Sequence, residues 1–416
     1  MTTESYKDEP SANINNTNTN TNTNTNTNTN TNTNTNTNTN TNTNTNTNTN
    51  TNTIQPAESK LAKKYAYVLL VMKGDNYIPG ALVAAYSIKN TGTPHDIVCM
   101  VTNDVSLKAR DALATVCTHV VLVDYIKVVC KPLKTNKQQK MYQPWVDISF
   151  TKWNCLNLTH YDKILFFDAD MIAYSNIDHL FNLPTPAATF SNPWAEPYAA
   201  RRKQPPNTPQ TPPKPGLRNP YNGISHSKKI PLNAVRYGLN ENSFVAVGAL
   251  VLLTPSEEDF KGFLKMLEDK KPFGYPNCHS MMDEQSLISY FHDKGVEWTM
   301  IHQRYQLIPW HPHWTDEQIP FATHYFGVKP WETERGKWDD TESWWGLASS
   351  MTKDPKCSPE QRELRRQFFN KEWIEMDTKA KCSYCTHCEL PDTHRTFDDN
   401  GALICPRLLQ AKESVG

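Results

Sequence analysis

The chain has 416 residues, and its 43 Lys and Arg balance 43 Asp and Glu, so no net field exists to gather nucleic acid or an acidic membrane surface. Its longest apolar runs, "YAYVLLVM" at residues 65–72 and "FVAVGALVLL" at 244–253, fall short of the ~20 residues that span a bilayer. No secretory leader is expected ahead of the first polar tract. These features argue against a nucleic-acid binder and against a helical membrane protein. They lead to the expectation of a soluble, cytoplasmic chain with a small or neutral partner. Cys99, Cys117, Cys130 and Cys155 sit in apolar segments, where inert reduced thiols belong.

Residues 17–53 are an unbroken Thr-Asn alternation with no apolar side chain to offset the entropy of ordering. Residues 1–60 are therefore expected to be a disordered low-complexity tail, 61–350 the folded domain, and 351–416 a helical, Cys-rich extension. Within the domain, short apolar runs alternate with helix-period segments, the pattern of a βαβ chain. Residues 65–72 read as a strand buried on both faces. The turn "KGDNY" then leads to Pro79 in the first turn of a helix that stops near Gly92. Residues 96–101 read as a second strand, followed by Asn103 and Asp104 as cap candidates and a helix through "SLKARDALATVC". A third strand is expected at 120–124, a third helix over "SFTKWNCLNLTHY", and a fourth strand at 163–167. Residues 193–231 are proline-rich, basic and aperiodic, a long loop. Order resumes with a strand and helix in "FVAVGALVLLTPSEEDFKGFLKML" and a helix in "MMDEQSLISYF". The sum is a doubly wound α/β domain with a mostly parallel sheet.

In such sheets ligands bind beyond the carboxyl ends of the strands, which places residues 73–77 and 168–170 on one rim. No G-x-G-x-x-G follows the first strand and no Walker lysine motif occurs, so phosphates need a different counter-charge. Asp168 and Asp170, one residue apart at the end of a buried strand, are hard oxygen ligands suited to a divalent cation that offsets a departing diphosphate. In "THYFGVKPW", His324 is a third metal-ligand candidate and Lys329 a cation able to sit on a phosphate. Asp178 in "SNIDHLF" reads as a carboxylate at a helix start.

The anchors "GALV" at Gly80, "FTKWNCLNLTHYDKILFFDADM" and "HYFGVKPW" together resemble the family 8 retaining glycosyltransferases over residues 65–331. The resemblance implies a GT-A type, Rossmann-like nucleotide-sugar-binding fold. It implies Mn²⁺, with Mg²⁺ as a substitute, held by Asp168, Asp170 and His324. It places Lys329 on the diphosphate, Tyr77 on uracil and Lys152 facing the donor, with Val71, Lys73, Ala169 and Gly327 in the same donor site. Glu284 and Gln285 correspond to the family's acid-Gln pair beyond the sugar, giving Glu284, Gln285 and Lys152 as catalytic candidates. The implied reaction moves glucose or galactose from UDP-glucose or UDP-galactose to a hydroxyl of a glycan, polyol or protein, and a homodimer is compatible with it. The chain departs from the family at "VGA", with Val247 at the position of an Asn, and in a His324 to Lys329 spacing one residue shorter.

Two other readings stand beside this one. A phosphohydrolase uses Asp-x-Asp after an apolar strand as nucleophile and acid, but here three strands come first and Met171 and Ile172 follow. A catalytically inactive sugar- or protein-binding module is the other. Separately, Cys382, Cys385, Cys388 and Cys405, with His387 as a substitute, have spacing compatible with a tetrahedral zinc site, against the plainer reading of a tail of reduced thiols. Elemental analysis checks this: about one zinc per chain, lost with Cys385→Ser, supports the site, and zinc-free protein with an unchanged melting curve ends it.

Overall fold

The computed structural model describes residues 63–130, 132, 136–190, 220–221, 223–240, 245–269, 282–307, 320–327, 329–337 and 341–376, and the pairs 396–397 and 403–404. All belong to one unit, Leu61–Gly416. The Thr-Asn tract, most of the proline-rich stretch and the four candidate zinc-binding cysteines lie outside the described residues.

The first strand, β1 (Tyr65–Val71), sends alternate side chains into two cores. Tyr67, Leu69 and Val71 pack with α1 (Ile78–Asn90), while Ala66 and Val68 pack with Phe150 and Trp153 on the other face. In β4 (Lys163–Phe167) Leu165 and Phe167 join the first core, and Ile164 and Phe166 the second. Both runs look continuously apolar because both faces of the sheet are covered.

The other strands of the sheet are β2 (Asp96–Val101), β3 (His119–Leu122), β6 (Ala187–Thr189), β7 (Val247–Leu253) and β8 (Thr299–Met300). Among the described residues they form a seven-stranded sheet in the order β3-β2-β1-β4-β7-β6-β8. The run from β3 to β4 is parallel, β7 is antiparallel to both β4 and β6, and β6 is parallel to β8. The expected α/β class and mostly parallel sheet are therefore present, with a reversal at β7.

Several local expectations change. The helix α2 (Leu107–Ala114) is capped by Ser106, whose side chain accepts from Ala109 N. Asp75 holds that cap by accepting from the Ser106 amide at 2.9 Å and hydroxyl at 2.6 Å. Asp104 instead accepts from Thr102 and Tyr125, so it tethers a loop rather than a helix. The third strand begins one residue earlier than expected and ends at Leu122, half-exposed at the sheet edge. The expected third helix is a 3-10 helix, Ser149–Asn157, and an unexpected α3 (Asn136–Val146) precedes it with Pro144 inside its last turn. Two further helices, α4 (Leu232–Asn240) and α5 (Glu257–Asp269), precede α6 (Met282–Asp293).

Beyond the sheet, α7 (Glu342–Thr352), α8 (Pro359–Arg366) and α9 (Lys371–Glu375) close over α1. Trp344, Trp345 and Met351 are buried in the same core as α1. Arg365, fully buried, donates to Thr115 Oγ1 at 2.7 Å, Thr115 O at 2.8 Å and Met351 O at 3.1 Å, tying α8 to the end of α2. Cys99, Cys117, Cys130 and Cys155 are free and buried, and burial pushes the Cys130 and Cys155 thiols up to about 12. In the tail, β10 (Thr396–Phe397) and β11 (Leu403–Ile404) pair antiparallel. No described helix is long and apolar enough to cross a membrane.

Candidate active site

The site starts where β4 ends. Asp168 N donates to Ala249 O at 2.9 Å and Met171 N to Asp168 O at 3.1 Å, so the turn 168–171 is clamped against β7. A short strand follows, β5 (Met171–Ala173), which sequence periodicity does not reveal. It pairs antiparallel with β9 (Ala322–His324) in a register that sets Met171 opposite His324. Tyr325 N donates to Asp170 O at 2.9 Å and completes the joint. This two-stranded sheet carries His324 across the chain to the aspartates.

The result is a cluster in which Asp168, Asp170 and His324 each offer a ligand atom, all within 4.8 Å of one another. Asp170 Oδ1 is buried, accepts no hydrogen bond and faces His324 Nε2 at 3.4 Å. An orphaned carboxylate oxygen beside an imidazole and a second carboxylate is a donor set that fits a divalent cation. The three residues expected to hold the metal are thus brought together.

Two buried ammonium groups balance the carboxylates. Lys329 donates to Asp170 Oδ2 and, at 3.1 Å, to Tyr325 O. Gly327, at φ +97°, supplies the left-handed turn between His324 and Lys329 that only glycine adopts freely. Burial works against charge on Asp170, yet Lys329 and then His324 outweigh it and hold the carboxyl far below the usual range. Burial likewise opposes charge on Lys329, and Asp170 reverses that and raises it. Asp168 is pushed up by burial, a shift that Lys152 opposes and Asp170 reinforces.

Lys152, on the 3-10 helix 149–157, stands 3.7 Å from Asp168 Oδ1 and 3.4 Å from Asp283 Oδ2. Sequence reasoning offers no reason to single out Asp283, which is 2% exposed at the start of α6. Its neighbour Glu284 accepts the Gly248 amide at 2.6 Å, and Gln285 is buried one residue on. A Cβ at Gly248 would lie 2.7 Å from Glu284 Cγ, so the glycine leaves the space that this side chain fills. Val247 opens β7, half-buried against the core that includes α1.

The other donor-site expectations fall on the same rim. Val71 ends β1, and its carbonyl accepts Thr102 N at 3.2 Å. Tyr77 is half-buried with Lys329 Nζ 5.8 Å from its ring centre and Trp331 edge-on at 5.4 Å, and burial, opposed by Lys329, pushes its hydroxyl up to about 12. Ala169 turns its carbonyl toward Gly80 of α1. Lys73, at φ +62°, donates its amide to Tyr125 OH at 2.9 Å and its Nζ to Pro144 O at 3.2 Å, binding the rim to α3. Tyr142 of α3 lies 6.5 Å from Phe326, so α3 leans over the rim.

Residues 68–209 match the profile described as Glycosyl transferase family 8. The "Uncharacterized protein R707" of Acanthamoeba polyphaga mimivirus is 42% identical over 124 residues, 30% of this chain and 42% of that one. "Glycogenin-1" of Caenorhabditis elegans is 33% identical over 124 residues, covering 30% and 28%. "UDP-glucuronate:xylan alpha-glucuronosyltransferase 1" of Arabidopsis thaliana is 31% identical over 130 residues, covering 31% and 18%. The chain spans less than half the length of these curated relatives. The solved galactosyltransferase LgtC, in complex with donor and acceptor sugar analogues, aligns with a TM-score of 0.39 at 15% identity, over 72% of this chain and 99% of that one, a likeness too distant to carry an argument about the site. With the Asp-x-Asp cluster in place, the chain carries a glycosyltransferase family 8 domain.

Proposed function

We propose that the protein transfers an uncharged hexose, glucose or galactose, from a UDP-sugar to a hydroxyl acceptor in a Mn²⁺-dependent reaction that retains the anomeric configuration. The observation that carries this reading is the convergence of Asp168, Asp170 and His324, with the buried Lys329 on Asp170 and Tyr77 beside it. A divalent ion, when bound by that set, supplies the positive charge that offsets a diphosphate leaving group. Lys329 then adds a charge-assisted hydrogen bond to the phosphates, and the Tyr77 ring offers a flat, half-buried face to the base. Glu284, anchored on the Gly248 amide, is the carboxylate we assign to the sugar, and Lys152 limits charge build-up between it and Asp168.

The choice of a neutral sugar over a uronic acid rests on charge. Asp168, Asp283 and Glu284 surround Lys152, whose ammonium is already shared between two carboxylates, so a further carboxylate on the donor meets repulsion. The buried free thiols support the cytoplasm as the compartment.

The experiment is a screen of the purified chain with Mn²⁺ against UDP-glucose, UDP-galactose and UDP-glucuronate, reading released UDP. Turnover with a hexose donor above that with the glucuronate is expected. Preference for the glucuronate overturns the donor assignment, and no turnover with any donor favours the inactive binding module. Gly248→Ala refines the role of Glu284. The new Cβ displaces a flexible side chain rather than backbone, so stability should fall by no more than about 1 kcal/mol while UDP release falls about ten-fold or more. Unchanged release would make Glu284 a helix-start carboxylate only.

A further inference from the structure

We infer that Asp283 is a positioning residue that draws Lys152 off Asp168 and so keeps that carboxylate open to a divalent ion. This rests on the reading of the cluster as a cation site and adds to it a residue outside the ligand set.

Among the described residues the Lys152 ammonium, with three protons, has three oxygen neighbours: Asp283 Oδ2 at 3.4 Å, Gly248 O at 3.5 Å and Asp168 Oδ1 at 3.7 Å. The rings of Trp153 and Phe166, with centres 5.5 and 5.4 Å away, flank the ammonium. Asp168 is the farthest of the three oxygens and Asp283 the nearest. Asp283 also accepts Trp153 Nε1 on its backbone carbonyl at 3.1 Å, so α6 grips the 3-10 helix at two successive residues, Lys152 and Trp153. Because the backbone contact does not depend on the carboxylate, an Asn at 283 keeps the joint and loses only the charge.

The charge matters because four carboxylates, Asp168, Asp170, Asp283 and Glu284, act on two ammonium groups, Lys152 and Lys329. The excess of negative charge lies where a cation has an orphaned oxygen to bind. Without Asp283 that excess shrinks, and among the described residues Asp168 becomes the carboxylate left within ion-pair distance of Lys152. The lysine and the ion then compete for one group.

The test measures binding of Mn²⁺ by the electron paramagnetic resonance signal of the free ion, at a fixed UDP concentration, alongside thermal melting. Asp283→Asn is expected to weaken Mn²⁺ binding about ten-fold or more. Adding Lys152→Met should restore it to near the wild-type value without restoring UDP release, a rescue that a purely structural role of Asp283 does not produce. Lys152→Met alone should bind Mn²⁺ at least as tightly as wild type, which keeps the inference testable if Asp283→Asn fails to fold. Wild-type binding by Asp283→Asn, no rescue in the double variant, or looser binding by Lys152→Met overturns the inference. Wild-type protein that takes up no Mn²⁺ overturns the cation reading itself, and the inference with it.

Discussion

Asp170→Asn is expected to abolish Mn²⁺-dependent UDP release and to lower stability by about 3 kcal/mol. The first effect follows from removing one of three ligands that converge within 4.8 Å. The second follows from burial: Asp170 is 7% and Lys329 9% exposed, so the substitution strands an ammonium whose one carboxylate partner among the described ion pairs is Asp170. Asp168→Asn should behave otherwise. Asp168 is more exposed, with 27% of its side chain accessible, and its neighbour Lys152 retains Asp283, so activity should fall with a smaller change in stability. Denaturant unfolding of the two variants beside a UDP-release assay checks both parts, and equal unfolding midpoints for the two would contradict the burial argument.

Gly80→Ala is expected to cost about 3 kcal/mol and, in any folded fraction, to lower UDP release by about ten-fold or more. A Cβ at position 80 would stand 2.5 Å from Ala169 O and 2.5 Å from Trp331 Cη2. The first is backbone at the centre of the Asp168–Asp170 turn. The second belongs to a ring held between Tyr77 and the buried Trp344, so neither can yield without moving the site. The helix that closes the first core is thus in van der Waals contact with the aspartate turn, and a single methyl group couples packing to chemistry. Thermal melts and UDP release measure the two losses, and a variant with both at wild-type level would show that α1 does not set the turn.

What can be read in the sequence is local. β1, β2 and β4 fall where uninterrupted apolar runs predict them, because strands covered on both faces leave no polar alternation. Asp168, Asp170, His324 and Lys329 are visible as residue types in short motifs whose chemistry suits a cation and a phosphate. The reversal at β7 is not visible, since apolar content marks a strand without fixing its direction. Nor is the pairing of β5 with β9, three residues each, too short for any period, although it is what delivers His324 to the aspartates. Asp178 shows the same limit. It does open a 3-10 helix, but its carboxylate also accepts from Tyr67 at 2.6 Å, Thr93 at 2.8 Å and Asn176 at 2.8 Å, partners that for the most part only tertiary contact supplies. Asp283 is hidden for that reason too: beside Glu284 and Gln285 it looks like one more acidic residue at a helix start, and its meaning lies in Lys152, far away in the chain.

The most direct test of the central claim, that Asp168, Asp170 and His324 form the cation-dependent half of a nucleotide-sugar site, is calorimetric titration of the chain with UDP in Mn²⁺ and again in EDTA. The account predicts one UDP per chain in Mn²⁺, binding weakened by about a hundred-fold in EDTA, and the same weakening in Mn²⁺ for His324→Ala. UDP binding of equal strength with and without the ion would contradict it.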